Sequence, residues 1–315
     1  MVLTRRCVRR CTCVSGVVWL GLLVMAFGQA PGKWTTGAAM PSARSEVAVA
    51  EVAGKVYVVG GVAGQTELEI YDPAANRWSR GAAIPRPLHH AAAVGVNGKL
   101  VVLGGYVNGW NPVDSVYEYD PASDRWRTRT AMPTPRGALA AAVLDGKIHA
   151  VGGAGSERRN TGAHEAYDPA TDHWQALAPL PTPRDHLAVA AVGGQLYAMG
   201  GRIDGSFARN LAVNEAYHPG ANAWQTRAPM PTARSGIAAA VLAGKIFVVG
   251  GEAPSGTFSQ VEAYDPPSNS WSTFAPLPTP RHGLGAVAVD GRLYVIAGGP
   301  TPGGSASAAT EIFMP

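Results

Sequence analysis

Three features of the sequence predict an all-β fold, a six-bladed β-propeller. The 315 residues include 39 Gly and 25 Pro, which favours many short strands joined by turns over long helices. A Gly-Gly doublet after an apolar run occurs six times at steps of 44 to 50 residues, at Gly60–Gly61, Gly104–Gly105, Gly152–Gly153, Gly200–Gly201, Gly250–Gly251 and Gly298–Gly299. A Trp series keeps the same phase, at Trp34, Trp78, Trp126, Trp174, Trp224 and Trp271. Such a period is typical of folds that repeat one supersecondary unit.

Each unit contains the signals of four antiparallel strands. In one unit, residues 136–144 are rich in Ala and Val and predict a buried strand, and Asp145–Gly146 predicts a type I′ hairpin turn. Residues 148–151 predict the second strand, which ends at a Gly-Gly doublet. Glu165–Tyr167 predicts the third strand, and Trp174 marks the fourth. Four short strands in each of six units are the pattern of propeller blades.

The repeats resemble the kelch family. The matching features are the apolar-Gly-Gly ending, a Glu-X-Tyr-Asp-Pro strand and turn, and a Trp six or seven residues after that Tyr. A Met-Pro-X-X-Arg segment leads into the next unit, as at Met132–Arg136. The resemblance covers about residues 33–315 and implies a kelch-type propeller, the architecture that the strand pattern also predicts.

The two ends of the repeat region predict how the ring closes. Lys33–Thr35 has the pattern of a fourth strand but precedes the first complete unit, whereas Thr310–Phe313 has the pattern of a third strand without a Trp partner. We therefore expect the N-terminal strand to complete the last blade. Closure of this kind removes the open strand edges through which sheets aggregate.

Residues 1–28 have the composition of an export signal peptide. Basic residues precede an apolar run from Val14 to Phe27, which is short for a bilayer span of about 20 residues. We expect cleavage after Gly28, which leaves a periplasmic or secreted domain at 29–315 with no membrane span. Two alternatives remain open, an uncleaved membrane anchor and a twin-arginine export route suggested by Arg5–Arg6.

Charge and cysteine content exclude some classes of function. Residues 31–315 contain 22 basic and 22 acidic groups, so the domain lacks the net positive charge on which nucleic-acid binding depends. All three cysteines, Cys7, Cys11 and Cys13, lie in the leader. We therefore expect neither disulfides nor cysteine chemistry in the mature domain.

The variable loops predict where a ligand binds. The segments between a Gly-Gly doublet and the next strand differ most between units, at Tyr106–Ser115, Ala154–His164, Arg202–Asn214 and Glu252–Gln260. In an antiparallel blade they share one face with the Met-Pro-X-X-Arg segments, and loops on a rigid scaffold are common binding sites. The candidate ligand-binding residues on this face are Arg44, Glu46, His90, Trp110, Arg136, Arg184, His186, Arg234 and Arg281, with His89, Asp185 and His282 beside them.

The recurring arginines allow two interpretations. In kelch proteins this position often lies near the channel mouth, so the resemblance implies contact with an acidic ligand, whose carboxylate matches the guanidinium group. The simpler interpretation, which we favour, is a structural ion pair, because the arginine recurs in five of six units. The acids in register are Glu69, Glu165, Glu215, Glu262 and Glu311.

Three functions fit these features. We favour a monomeric, non-catalytic binding module for a protein or an acidic glycan, with no metal or cofactor, because the histidines lack a ligand spacing. The alternative is a carbohydrate-active enzyme similar to the kelch-type sialic acid mutarotase, in which Glu46 and His186 supply acid–base groups. A copper radical oxidase is excluded, because its cofactor needs a Cys that the mature chain lacks. A structural role at the cell surface is the third option.

Overall fold

A ring of six four-stranded antiparallel sheets forms the protein in the computed structural model, which describes residues 1–2 and 31–315. Blade I contains Ala48–Val52, Lys55–Val59, Leu68–Asp72 and Arg77–Arg80. Blade II contains Ala92–Val96, Lys99–Leu103, Val116–Asp120 and Arg125–Arg129. Blade III contains Ala140–Leu144, Lys147–Val151, His164–Asp168 and His173–Ala176. The predicted all-β propeller is confirmed, whereas nearly all of the predicted leader lies outside the described residues.

The remaining blades repeat the same order from the centre of the ring outwards. Blade IV contains Ala188–Val192, Gln195–Met199, Asn214–His218 and Ala223–Thr226. Blade V contains Ala238–Leu242, Lys245–Val249, Val261–Asp265 and Ser270–Thr273. Blade VI contains Gly285–Val289, Arg292–Ile296, Thr310–Met314 and the N-terminal strand Lys33–Thr36.

The N-terminal strand closes the ring as the sequence predicts. Trp34 lies opposite Phe313 in an antiparallel register, so the first strand of the chain is the outermost strand of blade VI. The Trp34 indole N–H also donates to the carbonyl oxygen of Ala275 at 2.9 Å, which fastens the strand to the segment after blade V. The two ends of the repeat region are therefore joined within one blade, which then has four strands like the other five.

Short hairpins extend the loop face beyond the blades. Tyr106–Val107 pairs with Asn111–Pro112, Arg202–Ile203 pairs with Ser206–Asn210, and Glu252–Ala253 pairs with Gly256–Thr257. Two 3-10 turns, Ser156–Arg158 and Pro219–Ala221, complete the secondary structure, and the described residues contain no α-helix. None of the described residues forms a helix long and apolar enough to cross a membrane.

The Gly-Gly doublets are turns that need positive φ angles. Gly60 and Gly61 have φ of 60° and 94°, and an added side chain at either would meet the backbone of the neighbouring segment. Blade VI departs from the prediction by one residue. There Ala297 and Gly298 have the positive φ angles, 58° and 101°, so the structural doublet precedes the Gly298–Gly299 pair seen in the sequence.

The repeated aromatic residues pack within and between blades. Each third-strand aromatic contacts the Trp of its own blade, as Tyr71 and Trp78 do at 5.1 Å between ring centroids. The Trp indole N–H then donates to a carbonyl after the previous blade, as Trp78 does to Ala38 at 2.8 Å. The repeated aromatics therefore have a structural role, since they join each blade to its neighbour. The innermost strands of all six blades carry mostly Ala, Val and Gly and surround a central channel.

Candidate functional site

A closed ring of backbone hydrogen bonds surrounds the mouth of the channel on the loop face. Each blade contributes one residue just before its innermost strand, and its N–H donates to the carbonyl oxygen of the equivalent residue in the previous blade. The six N–O distances lie between 2.7 and 3.1 Å. The members are Glu46, His90, Ala138, His186, Gly236 and Gly283, and all six have φ between 51° and 65°.

These six residues and the residue that follows each of them line a small polar cavity of about 90 Å³. Blades I, II and IV place Glu46, His90 and His186 there, whereas the other three ring positions carry only a methyl group or no side chain. The His90 and His186 rings are 5.0 Å apart between centroids, and the Glu46 carboxylate lies 3.3 Å from Nε2 of His90. The repeat thus brings three ionisable groups from different blades to one point.

Glu46 lies among histidines that decide its charge. Its Oε1 is 3.1 Å from Nδ1 of His282, and Nε2 of His282 donates to the Thr301 carbonyl at 3.1 Å. Burial by itself raises the pKa of Glu46, but the neighbouring His90, His282 and His186 hold it well below its ordinary value. Burial lowers the pKa of His282, but its hydrogen bond to Glu46 and the charges of Glu46 and Glu252 raise it above the ordinary value overall.

Asp185 and Arg202 hold His186 from the other side. Nδ1 of His186 donates to Oδ1 of Asp185 at 2.5 Å, and the Arg202 guanidinium contacts both Asp185 and Nε2 of His186, the latter at 2.7 Å. Arg202 also donates to Oε1 of Glu252 at 2.6 Å. Burial would raise the pKa of Asp185, but His186 and Arg202 lower it to about 2. Asp185 is therefore ionised, and His186 and Arg202 both donate to it.

His89 and His90 form a second chain of hydrogen bonds at the mouth. Nε2 of His89 lies 2.7 Å from the Gly109 carbonyl oxygen, and the Nδ1 atoms of the two histidines lie 2.6 Å apart. Because a carbonyl only accepts, Nε2 of His89 carries the proton, and Nδ1 of His90 donates to His89. Burial lowers the pKa of His90 to about 3, although the charge of Glu46 acts against this shift.

An exposed tryptophan marks the rim of the cavity. Trp110 is 43% exposed and is the one large apolar side chain exposed within residues 31–315. Its ring packs against His90 and Tyr106, with centroids 5.0 and 5.2 Å away, and the Arg158 guanidinium lies 4.0 Å from its centroid. The predicted candidates Glu46, His90, Trp110 and His186 therefore lie together at the mouth.

Comparisons with known proteins agree with this architecture. The Kelch motif family matches residues 43–83 and 87–133, and the KLHDC2/KLHL20/DRC7 Kelch-repeats domain matches residues 179–308. The chain is a kelch-repeat β-propeller. A solved structure titled "Structure of YjhT" superposes with a TM-score of 0.78 at 18% identity, over 88% of this chain and 96% of that one. At that identity the likeness concerns the fold alone. No curated protein sequence matches the chain.

The kelch arginines lie in buried ion pairs rather than in the cavity. The five side chains have 0% exposure, and each guanidinium contacts the acid predicted in register, in the pairs Arg44–Glu69, Arg136–Glu165, Arg184–Glu215, Arg234–Glu262 and Arg281–Glu311. The structural interpretation is confirmed. Contact of these arginines with an acidic ligand stays a prediction, and their burial does not favour it.

Two charged residues of the site were not identified from the sequence. Arg202 and Glu252 directly follow the Gly-Gly doublets of blades IV and V and are both at least 95% buried. Each faces the segment before its innermost strand through an isolated bridge, Arg202 opposite Asp185 and Glu252 opposite Ser235. The sequence contained one signal for them. The residue after the Gly-Gly doublet is Val62, Tyr106 or Ala154 in blades I to III, whereas it is charged in blades IV and V.

Proposed function

We propose that this kelch propeller is an exported binding module that holds a glycan on its loop face, over the channel mouth. Trp110 carries the proposal, because it is the one large apolar side chain exposed within residues 31–315 and packs against His90, which lines the polar cavity. An indole ring offers a flat apolar surface to the C–H groups of a sugar. Side chains of this kind are preferred anchors in binding sites.

The polar groups at the mouth suit a ligand rich in hydroxyl groups. The carboxylate of Glu46 lines the cavity and accepts hydrogen bonds, and polar side chains also line the adjoining space beside Trp110, among them Asp185 and Arg202. A cavity of about 90 Å³ accommodates a substituent of a sugar rather than a whole ring, so the ring itself would lie beside Trp110. An acidic sugar would meet the exposed guanidinium group of Arg158, since the five repeated arginines are engaged in ion pairs.

Glycan binding is tested by calorimetric titration of the purified protein with neutral and acidic oligosaccharides. Trp110→Ala is expected to weaken binding of any bound glycan by roughly tenfold or more, which corresponds to about 1.4 kcal/mol. Arg158→Ala should weaken only acidic glycans. Arg209→Ala is the matched control, because Arg209 is an exposed arginine that pairs with Asp204 in the adjacent hairpin.

Two results would contradict the glycan proposal. Equal glycan affinities in the Trp110→Ala variant and the unaltered protein would show that the glycan does not bind beside Trp110. Absence of binding across the panel, together with capture of a protein that Trp110→Ala no longer captures, would identify the loop face as a protein-binding surface instead.

A second candidate is acid–base catalysis on a sugar, and one observation favours it. Glu46 lies against His282 and His90 in a site that largely excludes water, an arrangement suited to moving a proton to and from a sugar hydroxyl. Ring opening of a reducing sugar needs a base at the anomeric hydroxyl and an acid at the ring oxygen. NMR exchange between anomers tests this. Glu46→Gln should abolish any acceleration of the exchange between anomers. Unchanged acceleration in this variant would show that Glu46 is not the catalytic group.

Export is part of the proposal and is supported by the composition of residues 1–28. Expression of the full chain in a bacterial host, followed by fractionation and N-terminal sequencing, tests it. Recovery from the periplasm or medium with a new N-terminus near residue 29 supports a cleaved signal. Recovery from membranes at full length supports the anchor, and recovery from the cytoplasm contradicts export.

A further inference from the structure

Among residues 31–315, no hydrogen-bond donor faces Nε2 of His90, a buried histidine of the channel mouth. The His90 side chain is 5% exposed, and its Nδ1 proton is committed to His89, which is itself fixed by the Gly109 carbonyl. In the neutral imidazole the single N–H is this Nδ1 proton, and Nε2 of His90 then presents a lone pair. That lone pair faces Oε2 of Glu46 at 3.3 Å. Two electron-rich atoms at this separation are stabilised by a positive charge between them.

His186 presents a second lone pair to the same space. Its Nδ1 donates to Asp185, which leaves Nε2 as an acceptor, and the side chain is 4% exposed. One ligand atom from each of Glu46, His90 and His186 lies within 4.8 Å of the other two. Two imidazole nitrogens and one carboxylate oxygen are a ligand set that divalent transition metals use in proteins.

We propose that Glu46, His90 and His186 bind a divalent transition-metal ion, for which Zn²⁺ is the probe, at the floor of the channel mouth. Metal binding at these residues is independent of the proposed glycan binding, because it needs no sugar. The open space beside the three ligands is the cavity, so the remaining coordination position faces that cavity.

The surroundings of the three ligands support a built site. Metal-binding histidines usually donate their other ring N–H to a partner that fixes the tautomer and orientation. Asp185 has this role for His186, and His89 has it for His90. The second oxygen of Glu46 contacts His282. Each ligand is thus held by its own buried neighbour.

Arg202 is the group that a bound ion must displace. One of its guanidinium nitrogens lies 2.7 Å from Nε2 of His186, so the ion would replace this contact with a metal–nitrogen bond. The guanidinium keeps its contacts with Asp185 and Glu252. A rival group, Glu46 with Glu252 and His282, is less suitable, because both oxygens of Glu252 already accept hydrogen bonds from Arg202 and the Gly303 N–H.

The test is a titration of chelator-treated, tag-free protein with Zn²⁺ by calorimetry and with Co²⁺ by visible absorption, without any sugar. We expect one ion per chain and the d–d bands of a Co²⁺ ion with nitrogen and oxygen ligands. His90→Ala and Glu46→Gln should each weaken binding by roughly tenfold or more. His164→Asn is the matched control, because it removes a buried histidine outside the mouth, where blade IV carries Asn214.

Three results would overturn the metal site. They are the absence of saturable binding, equal affinity in both mouth variants and the unaltered protein, and an equal loss in the His164→Asn control. Circular-dichroism melts of each variant separate ligand loss from misfolding. Because no sugar is present in the titration, failure of metal binding leaves the glycan proposal intact, and failure of glycan binding does not affect the metal site.

Discussion

Replacement of Glu215 by Gln should destabilise the fold far more than the same change at Glu118. The Arg184 side chain has 0% exposure and donates to the carbonyl oxygens of Gly200, Thr182 and Ala198 as well as to Glu215. Glu215→Gln leaves this guanidinium in the interior without its countercharge, which costs about 3–5 kcal/mol. The folded-to-unfolded ratio then falls by a factor of about 100 or more.

Glu118 is the control, because it is a third-strand glutamate of blade II with arginine partners, one residue after the register of Glu215, where blade II carries Tyr117. Its partners Arg127 and Arg129 are 60% and 23% exposed, so water screens them when the acid is neutralised. Glu118→Gln should therefore cost about 1 kcal/mol or less. The free energy of unfolding is measured by urea denaturation with Trp fluorescence. Equal losses in the two variants would refute the distinction between buried and exposed pairs.

Three further predictions concern closure, turns and pH. Deletion of residues 31–37 should leave the ring unclosed, and an unchanged melting temperature would contradict this. Ala53→Asn and Ala243→Asn should each raise the free energy of unfolding by up to about 1 kcal/mol, since both turn residues have φ near 50° and Asn tolerates that region; a loss would contradict it. Burial lowers the pKa of His164 to about 3, so below pH 6.5 the unfolded chain binds a proton at this residue that the folded protein does not. The free energy of unfolding therefore decreases as the pH is lowered, by about 2 kcal/mol from pH 7 to pH 5. The replacement of His164 by Asn, the residue that blade IV carries as Asn214, should remove that contribution in denaturation at the two pH values.

The fold was predictable because its signals are local and repeated. Doublets, hairpin dipeptides and the Tyr–Trp spacing each specify a backbone conformation within one blade, and their phase indicates the ring. The turn of blade VI, which lies one residue earlier than its Gly-Gly pair, was not predictable from these local signals. Ala297 adopts the positive φ that glycine has elsewhere, and nothing in the local sequence distinguishes this from a turn at Gly298–Gly299.

The candidate site was predictable only in part, because its residues come from different blades. Glu46, His90 and His186 occupy one repeat position, so the period itself brings them together. Arg202 and Glu252 occupy another position, and their contact joins residues 50 apart in the sequence. That contact depends on how closely neighbouring loops approach over the mouth, which the repeat pattern does not specify.

In the hydrogen-bonded ring at the mouth, the main chain holds the blades together, whereas the side chains line the cavity. Its bonds use only main-chain atoms, so the same six bonds form although the side chains at the six positions differ. A six-fold repeat would otherwise place identical groups around its axis, and identical groups make a poor recognition site. Here the chain carries Glu, His, Ala, His, Gly and Gly at six equivalent places. Point mutation at these places is sufficient to turn a symmetric scaffold into an asymmetric site, without insertion, deletion or change of register.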